Sequence, residues 1–182
     1  MMKWIFLLCL SFLDWPVHAQ QTGLEPHANG QETLLNGGGK FSPKQRAELA
    51  KAAMADSNQQ VNAKILAAHQ VKPGVITLAS GVQYKILKTG AGKRPTDQSS
   101  IRCRYLGMLA DGTPFDKGEE KSSMVLRVAG LLPGLNEAVK LMPAGSKWEV
   151  LIPPELAYGS QGNRVVGPNS ALMYVIEILG VL

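Results

Sequence analysis

Apolar positions change their spacing twice along the chain, and each change marks a boundary. Residues 4–13 are almost wholly apolar. Residues 20–40 are polar, interrupted by Gly and Pro, and end in Asn36-Gly37-Gly38-Gly39. A run free of Gly and Pro then extends over 44–71, entered by Ser42-Pro43 and left by Lys72-Pro73-Gly74. Ser at the N-cap and Pro in the first turn are helix-start signals, so one long helix is predicted over 42–72. Along it Ala47, Ala50, Met54, Val61, Ile65 and Ala68 recur at steps of three, four or seven, a narrow stripe of mostly small side chains. From Ser80 onward the period falls to two. Val82, Tyr84 and Ile86, then Ile101, Cys103 and Tyr105, then Trp148, Val150 and Ile152, and last Leu172, Tyr174, Ile176 and Ile178 each read as a half-buried strand. Asp111-Gly112 supplies a hairpin turn, and 133–142, opening on a proline, is the one helical stretch among the strands. These elements predict an α+β fold: a mostly antiparallel sheet with one short helix over its apolar face, preceded by a long N-terminal helix.

The stripe on the long helix admits three readings. It rests on the domain that follows, it is solvated, or it is a seam for weak homodimerisation through 43–71. Small side chains bury little area, so any dimer made this way is expected to be weak.

Composition narrows the picture. The chain has 182 residues, 45% of them hydrophobic, which suits one core rather than two. Its net charge is +5, but basic residues alternate with acids and form no block longer than a pair such as Lys93-Arg94. A solvated surface is expected, with no nucleic-acid partner. Lys3, the apolar run and the ending Val17-His18-Ala19 read as a signal peptide over 1–19, with an uncleaved tether as the alternative. The protein is therefore expected to be exported, to the periplasm in a bacterium. The apolar run is too short for a stable span and no later segment approaches 18 apolar residues, so stable membrane insertion is not expected. Residues 20–41 read as a flexible linker. Loss of Cys9 with the signal leaves Cys103 alone, which excludes an intramolecular disulfide. His18, His27 and His69 lack metal-ligand spacing, so neither metal nor cofactor is expected.

Three segments hold more special residues than strands need: 104–116, running Arg-Tyr-Leu-Gly-Met-Leu-Ala-Asp-Gly-Thr-Pro-Phe-Asp; 131–135, Leu-Leu-Pro-Gly-Leu; and 153–159, Pro-Pro-Glu-Leu-Ala-Tyr-Gly, with the loop on to Val166-Gly167-Pro168-Asn169. They contain no nucleophile–base pair, phosphate loop or metal cluster. Taken singly, a Tyr or Phe at an alternating strand position is plain core and an acid after a turn is a capping group. Jointly, Tyr-x-Gly-x-Leu-x-Asp-Gly-x-x-Phe-Asp and Pro-x-x-Leu-Ala-Tyr-Gly resemble the FKBP-type peptidyl-prolyl cis–trans isomerases. Pro73-Gly74-Val75, Ser80-Gly81-Val82-Gln83-Tyr84 and Leu141-Met142-Pro143-Ala144-Gly145 are similar to the macrophage infectivity potentiator branch. The resemblance spans 73–182.

That resemblance implies a half-barrel of five or six antiparallel strands wrapped round the short helix, with a shallow apolar pocket between them. Carried over by motif position, the catalytic residues are Tyr105, Phe115, Asp116 and Tyr158. Met124, Leu131, Leu132, Leu135, Val166 and Tyr174 bind the substrate. The Tyr158 hydroxyl and the Leu132 N–H hold carbonyls of the bound peptide, and Asp116 orients Tyr105. The implied activity is Xaa-Pro isomerisation in proline-containing unfolded or nascent exported polypeptides, with weak binding of macrolides such as tacrolimus. Where the family usually has Trp, Phe and Phe, this chain has Leu135, Met124 and Tyr174, which implies a looser pocket. Leu135 and Met124 favour an alternative, a periplasmic chaperone or peptide-binding module with little turnover. Tyr105, Phe115, Asp116 and Tyr158 favour the isomerase.

Overall fold

The computed structural model describes residues 41–118 and 123–182. The signal peptide expected over 1–19 and nearly all of the linker expected over 20–41 lie outside them. Helix α1, Pro43–Gln70, begins as the sequence predicts. The Ser42 hydroxyl accepts from the Gln45 N–H at 3.3 Å while Gln45 Oε1 accepts from the Ser42 N–H at 2.8 Å, closing a capping box. At the far end the Lys72 N–H donates to the His69 carbonyl, and Gly74 at φ +80° turns the chain into the sheet.

Seven strands follow: β1 Val75–Thr77, β2 Gln83–Lys88, β3 Ser100–Leu109, β4 Pro114–Lys117, β5 Met124–Arg127, β6 Lys147–Ile152 and β7 Leu172–Val181. All pair antiparallel in the order β1-β2-β6-β7-β3-β4, and β5 also lies on β3. β3 and β7 are the longest and pair along their whole length, from Ile101↔Val181 to Leu109↔Leu172. The far side of β3 is shared. Its first half takes β5, with Cys103 opposite Met124, and its second half takes β4, with Gly107 opposite Asp116. Helix α2, Pro133–Leu141, covers the apolar face of this open sheet.

The core is the interface between α2 and the sheet. Leu135, Ala138, Val139 and Met142 meet Val82, Ile101, Cys103, Val150, Ile152, Ile176 and Ile178, all buried. Gly134 allows the close approach: a Cβ there would lie 2.4 Å from Ile152 Cγ2. Cys103, the free cysteine among the described residues, is buried in this core.

Two readings of the pattern need correction. In β2 the polar Gln83 is 3% exposed whereas Ile86 is 43% exposed. Gln83 is drawn inward by α1: its Nε2 donates to the Leu66 carbonyl at 3.0 Å, and its Oε1 meets His69 Nδ1 at 2.8 Å. His69 Nε2 lies 3.1 Å from Glu149 Oε1 on β6, so this buried imidazole ties the end of α1 to two strands. The second correction concerns the stripe, which rests on the domain only at its start: Met54 packs beside Gly167 and, with Ala47 and Ala50, borders a groove with the loop over 161–168, whereas Val61 is about half exposed. α1 docks by a neighbouring face on which Lys51, Ala55, Asn58, Asn62, Leu66 and His69 recur at steps of three or four. Apolar periodicity missed it because this contact is made by side-chain amides to main-chain carbonyls. No helix among the described residues is long and apolar enough to cross a membrane.

Candidate functional site

Tyr105 and Gly107 stand two apart on β3 and share a face. Tyr174 on β7 is the cross-strand partner of Gly107. A Cβ on Gly107 would lie 3.0 Å from Tyr174 Cε1, 3.1 Å from Phe115 Cζ and 3.2 Å from Asp116 Cβ. The Gly of the Tyr-x-Gly motif is thus the floor on which two aromatic rings and a carboxylate close. Phe115 and Asp116 are consecutive, and in a regular strand they would point to opposite faces. Here the register of β4 shifts: Met108 pairs with Pro114 and Gly107 with Asp116, leaving Phe115 as the extra residue of a bulge. A bulge re-aims side chains, which accounts for both neighbours lying over Gly107.

Phe115 meets Tyr174 edge-on with ring centroids 5.9 Å apart, and Tyr105 is tilted against Tyr174 at 6.0 Å. The Tyr105 hydroxyl donates to Asp116 Oδ2 at 3.0 Å. Burial, and then the hydrogen bond to Asp116, push the Tyr105 phenol up to about 12. Burial pushes that of Tyr174 higher still, with the Tyr158 phenol and Asp116 adding to the effect. Both rings are therefore neutral at physiological pH, and the Tyr105 proton stays on the hydrogen bond that fixes its ring.

Beside this cluster opens a cavity of ≈ 150 Å³ lined by Tyr105, Asp116, Leu126, Gly130, Leu131, Leu132, Leu135 and Tyr174. Leu131 follows the 3-10 turn Val128–Gly130, and Leu132 is the N-cap of α2 with no side-chain cap. Its N–H belongs to the main-chain donors at a helix start that have no intrahelical acceptor. Pro133 next in line fixes that start. An apolar hollow with a carboxylate-braced tyrosine on one wall and a helix N-terminus on another can hold an uncharged, hydrogen-bond-accepting group such as an amide.

Six of the residues expected at the site line the cavity: Tyr105, Asp116, Leu131, Leu132, Leu135 and Tyr174. Phe115 and Met124 pack behind it against the core, and Val166 is a core residue at 1% exposure. Tyr158 follows the 3-10 turn Pro154–Leu156, half-buried, its hydroxyl without a hydrogen-bond partner among the described residues. It is near enough to Tyr105 and Tyr174 to raise both phenols. Sequence reasoning missed Leu126 and Gly130. Leu126 was within reach, since it stands two residues from Met124 on β5 and shares its face. Gly130 carried no signal.

Comparison with known proteins finds two family profiles on the chain. One, described as FKBP-type peptidyl-prolyl cis-trans isomerase, matches residues 92–179, and the other, described as domain amino terminal to FKBP-type peptidyl-prolyl isomerase, matches 17–86. The Outer membrane protein MIP of Legionella longbeachae is 39% identical over 140 residues, 76% of this chain and 59% of that protein. The Peptidyl-prolyl cis-trans isomerase Mip of Coxiella burnetii is 38% identical over 68% of this chain and 55% of its own length. The chain thus spans somewhat more than half of these two relatives. The FKBP-type 22 kDa peptidyl-prolyl cis-trans isomerase of Escherichia coli is 36% identical over 76% of this chain and 68% of its own. Among solved structures, FkpA from Escherichia coli aligns with a TM-score of 0.72 and 27% identity, covering 82% of this chain and 78% of that one.

Proposed function

The chain belongs to the FKBP-type peptidyl-prolyl cis–trans isomerases, and from that premise we propose that it accelerates Xaa-Pro isomerisation in the cavity beside Tyr105. What supports this most is the pairing of an apolar hollow with the Tyr105–Asp116 hydrogen bond and the start of α2. The barrier to rotating a peptide bond is roughly 18–20 kcal/mol and comes from C–N double-bond character. A planar amide carries a polarised carbonyl that water stabilises. The twisted transition state has lost that resonance and has less charge on oxygen. Transfer into a dry hollow therefore penalises the ground state more, which is differential binding of the transition state.

In this reading Phe115, Met124, Leu131, Leu132, Leu135, Val166 and Tyr174 form the apolar walls and their backing. The Tyr158 hydroxyl and the Leu132 N–H hold the carbonyls flanking the proline, and Asp116 keeps Tyr105 oriented by accepting the hydrogen bond from its hydroxyl. The substrates are proline-containing unfolded or nascent polypeptides met outside the cytoplasm, in the periplasm of a bacterium. Macrolides bind weakly, because Leu135 offers no flat aromatic floor. Domain limits are 1–19, 20–41, 42–72 and 73–182, and any homodimer through 43–71 is weak, which sedimentation at micromolar concentration would show as mainly monomer.

A protease-coupled assay on an Ala-Leu-Pro peptide tests the reading. Tyr158→Phe and Asp116→Ala should each lower turnover by about tenfold or less, roughly 1.4 kcal/mol, with folding retained. A protein that gives no turnover above background yet slows aggregation of an unfolded client would be a chaperone instead.

A further inference from the structure

The loop over 157–171 carries Tyr158 and Val166 but contains no strand. It is closed from within: the Asn163 side chain accepts from the Val165 and Val166 N–H groups, and the Gly162 N–H donates to the Tyr158 carbonyl at 3.2 Å. Its outer hold comes from α1. Asn58 Nδ2 donates to the Pro168 carbonyl at 2.8 Å and to Ser170 Oγ at 3.3 Å. Asn62 Nδ2 donates to the Asn169 carbonyl, and Asn169 Nδ2 returns to the Ala55 carbonyl at 3.5 Å. The Asn169 N–H in turn donates to the Gly159 carbonyl at 2.8 Å, one residue from Tyr158. Asn169 sits at φ +50°, the one non-glycine residue with positive φ among those described. An L-residue reaches that region at a cost, and Asn tolerates it better than most.

Asn62 is only 6% exposed. Burying an amide is unfavourable unless it is bonded, and an apolar side chain would have served plain docking better. Its donor is used on the strained residue that also braces the neighbour of Tyr158. We propose that Asn62 and Asn58 are positioning residues for the prolyl site: Asn62 through Asn169, and Asn58 through Pro168 and Ser170 on either side of it, hold the loop so that the Tyr158 hydroxyl faces the substrate. This rests on the reading of Tyr158 as a donor to a substrate carbonyl. It makes α1 part of the isomerase apparatus rather than a spacer in front of it.

A loop freed from α1 spends part of its time with Tyr158 turned away, and apparent affinity falls by the competent fraction. Asn62→Ala and the milder Asn58→Ala, made in the whole chain, should raise KM for an Ala-Leu-Pro peptide by about threefold to tenfold with kcat little changed. Both effects should vanish when Tyr158 is already Phe, because contributions that run through one group do not add. Circular dichroism and thermal unfolding establish that each variant is folded. Asn58→Ala, whose side chain is only part-buried, keeps the test open if Asn62→Ala does not fold. An unchanged KM in the folded variants, or the same loss with and without the Tyr158 hydroxyl, overturns this inference alone. A Tyr158→Phe protein with undiminished turnover overturns the site reading and this inference with it.

Discussion

Gly134→Ala adds one methyl group at the tightest point between α2 and the sheet. The new Cβ would lie 2.4 Å from Ile152 Cγ2 and 3.2 Å from both Leu156 Cβ and Val82 Cγ2. Carbon atoms rest at about 3.5–4.0 Å, so more than an ångström must be recovered at Ile152. Ile152 is fully buried on β6 and, being β-branched, has few rotamers to offer. The helix must therefore move. Overpacking of this kind costs about 1–3 kcal/mol. Ala is a better helix former than Gly by roughly 0.8–1.0 kcal/mol in a helix interior. Gly134 lies in the first turn of α2, where that gain is smaller. A net loss of about 1–2 kcal/mol should lower Tm by roughly 2–8 °C for a domain of this size. Since Leu132 and Leu135 flank Gly134, withdrawal of this turn also widens the cavity and should raise KM more than it lowers kcat. Gly180→Ala, where a Cβ meets nothing within 4 Å, is the control for stability. Tm unchanged or raised in Gly134→Ala, relative to the control, would refute the argument from close approach.

Alkaline pH should destabilise the fold as its buried thiol and phenols ionise. Burial raises Cys103 from 9.0 to about 11 and Tyr105 from 10.0 to about 12, and Tyr174 rises further. Groups raised in the folded state stabilise it fully below their ordinary values and cease to do so as pH passes their folded ones. Denaturant midpoints should hold up to about pH 9 and fall between about 9 and 12; a flat profile there contradicts the assignment. The same burial should make Cys103 resist thiol reagents in the native protein, whereas rapid labelling would mean that the core opens. His69→Ala removes the ring that joins Gln83 Oε1 to Glu149 Oε1, which should cost about 1–3 kcal/mol and speed amide exchange in the last turns of α1. Leu135→Trp should tighten macrolide binding more than it raises peptide turnover, since a flat indole offers area to a rigid ligand while a twisting amide chiefly needs dryness; equal gains in the two assays would count against that division.

The parts legible in the sequence are those fixed by local rules. Ser42-Pro43 set the start of α1 and Pro133 that of α2, because caps and proline act on adjacent residues. The alternations in β3, β6 and β7 survive because one face of each is pressed against α2. Tyr105, Asp116, Leu131, Leu132, Leu135 and Tyr174 came through the motifs, and the bulge at Phe115 shows why the motif needs adjacent Phe and Asp. What escaped depends on distant partners. Gln83 is buried by a histidine fourteen residues away, and Asn58 and Asn62 find carbonyls more than a hundred residues on. Hydropathy registers none of these, since an amide that is bonded and one that is solvated look alike along the chain.

The shared edge of β3 bears on how this scaffold can be changed. β4 and β5 are pinned to β3 independently, one by Gly107↔Asp116 and the other by Cys103↔Met124. Each pairing is complete without the other. Loosening one of these strands should therefore leave the register of the other on β3 in place. The two walls that Asp116 and Leu126 give the cavity can thus be altered separately, one on each strand.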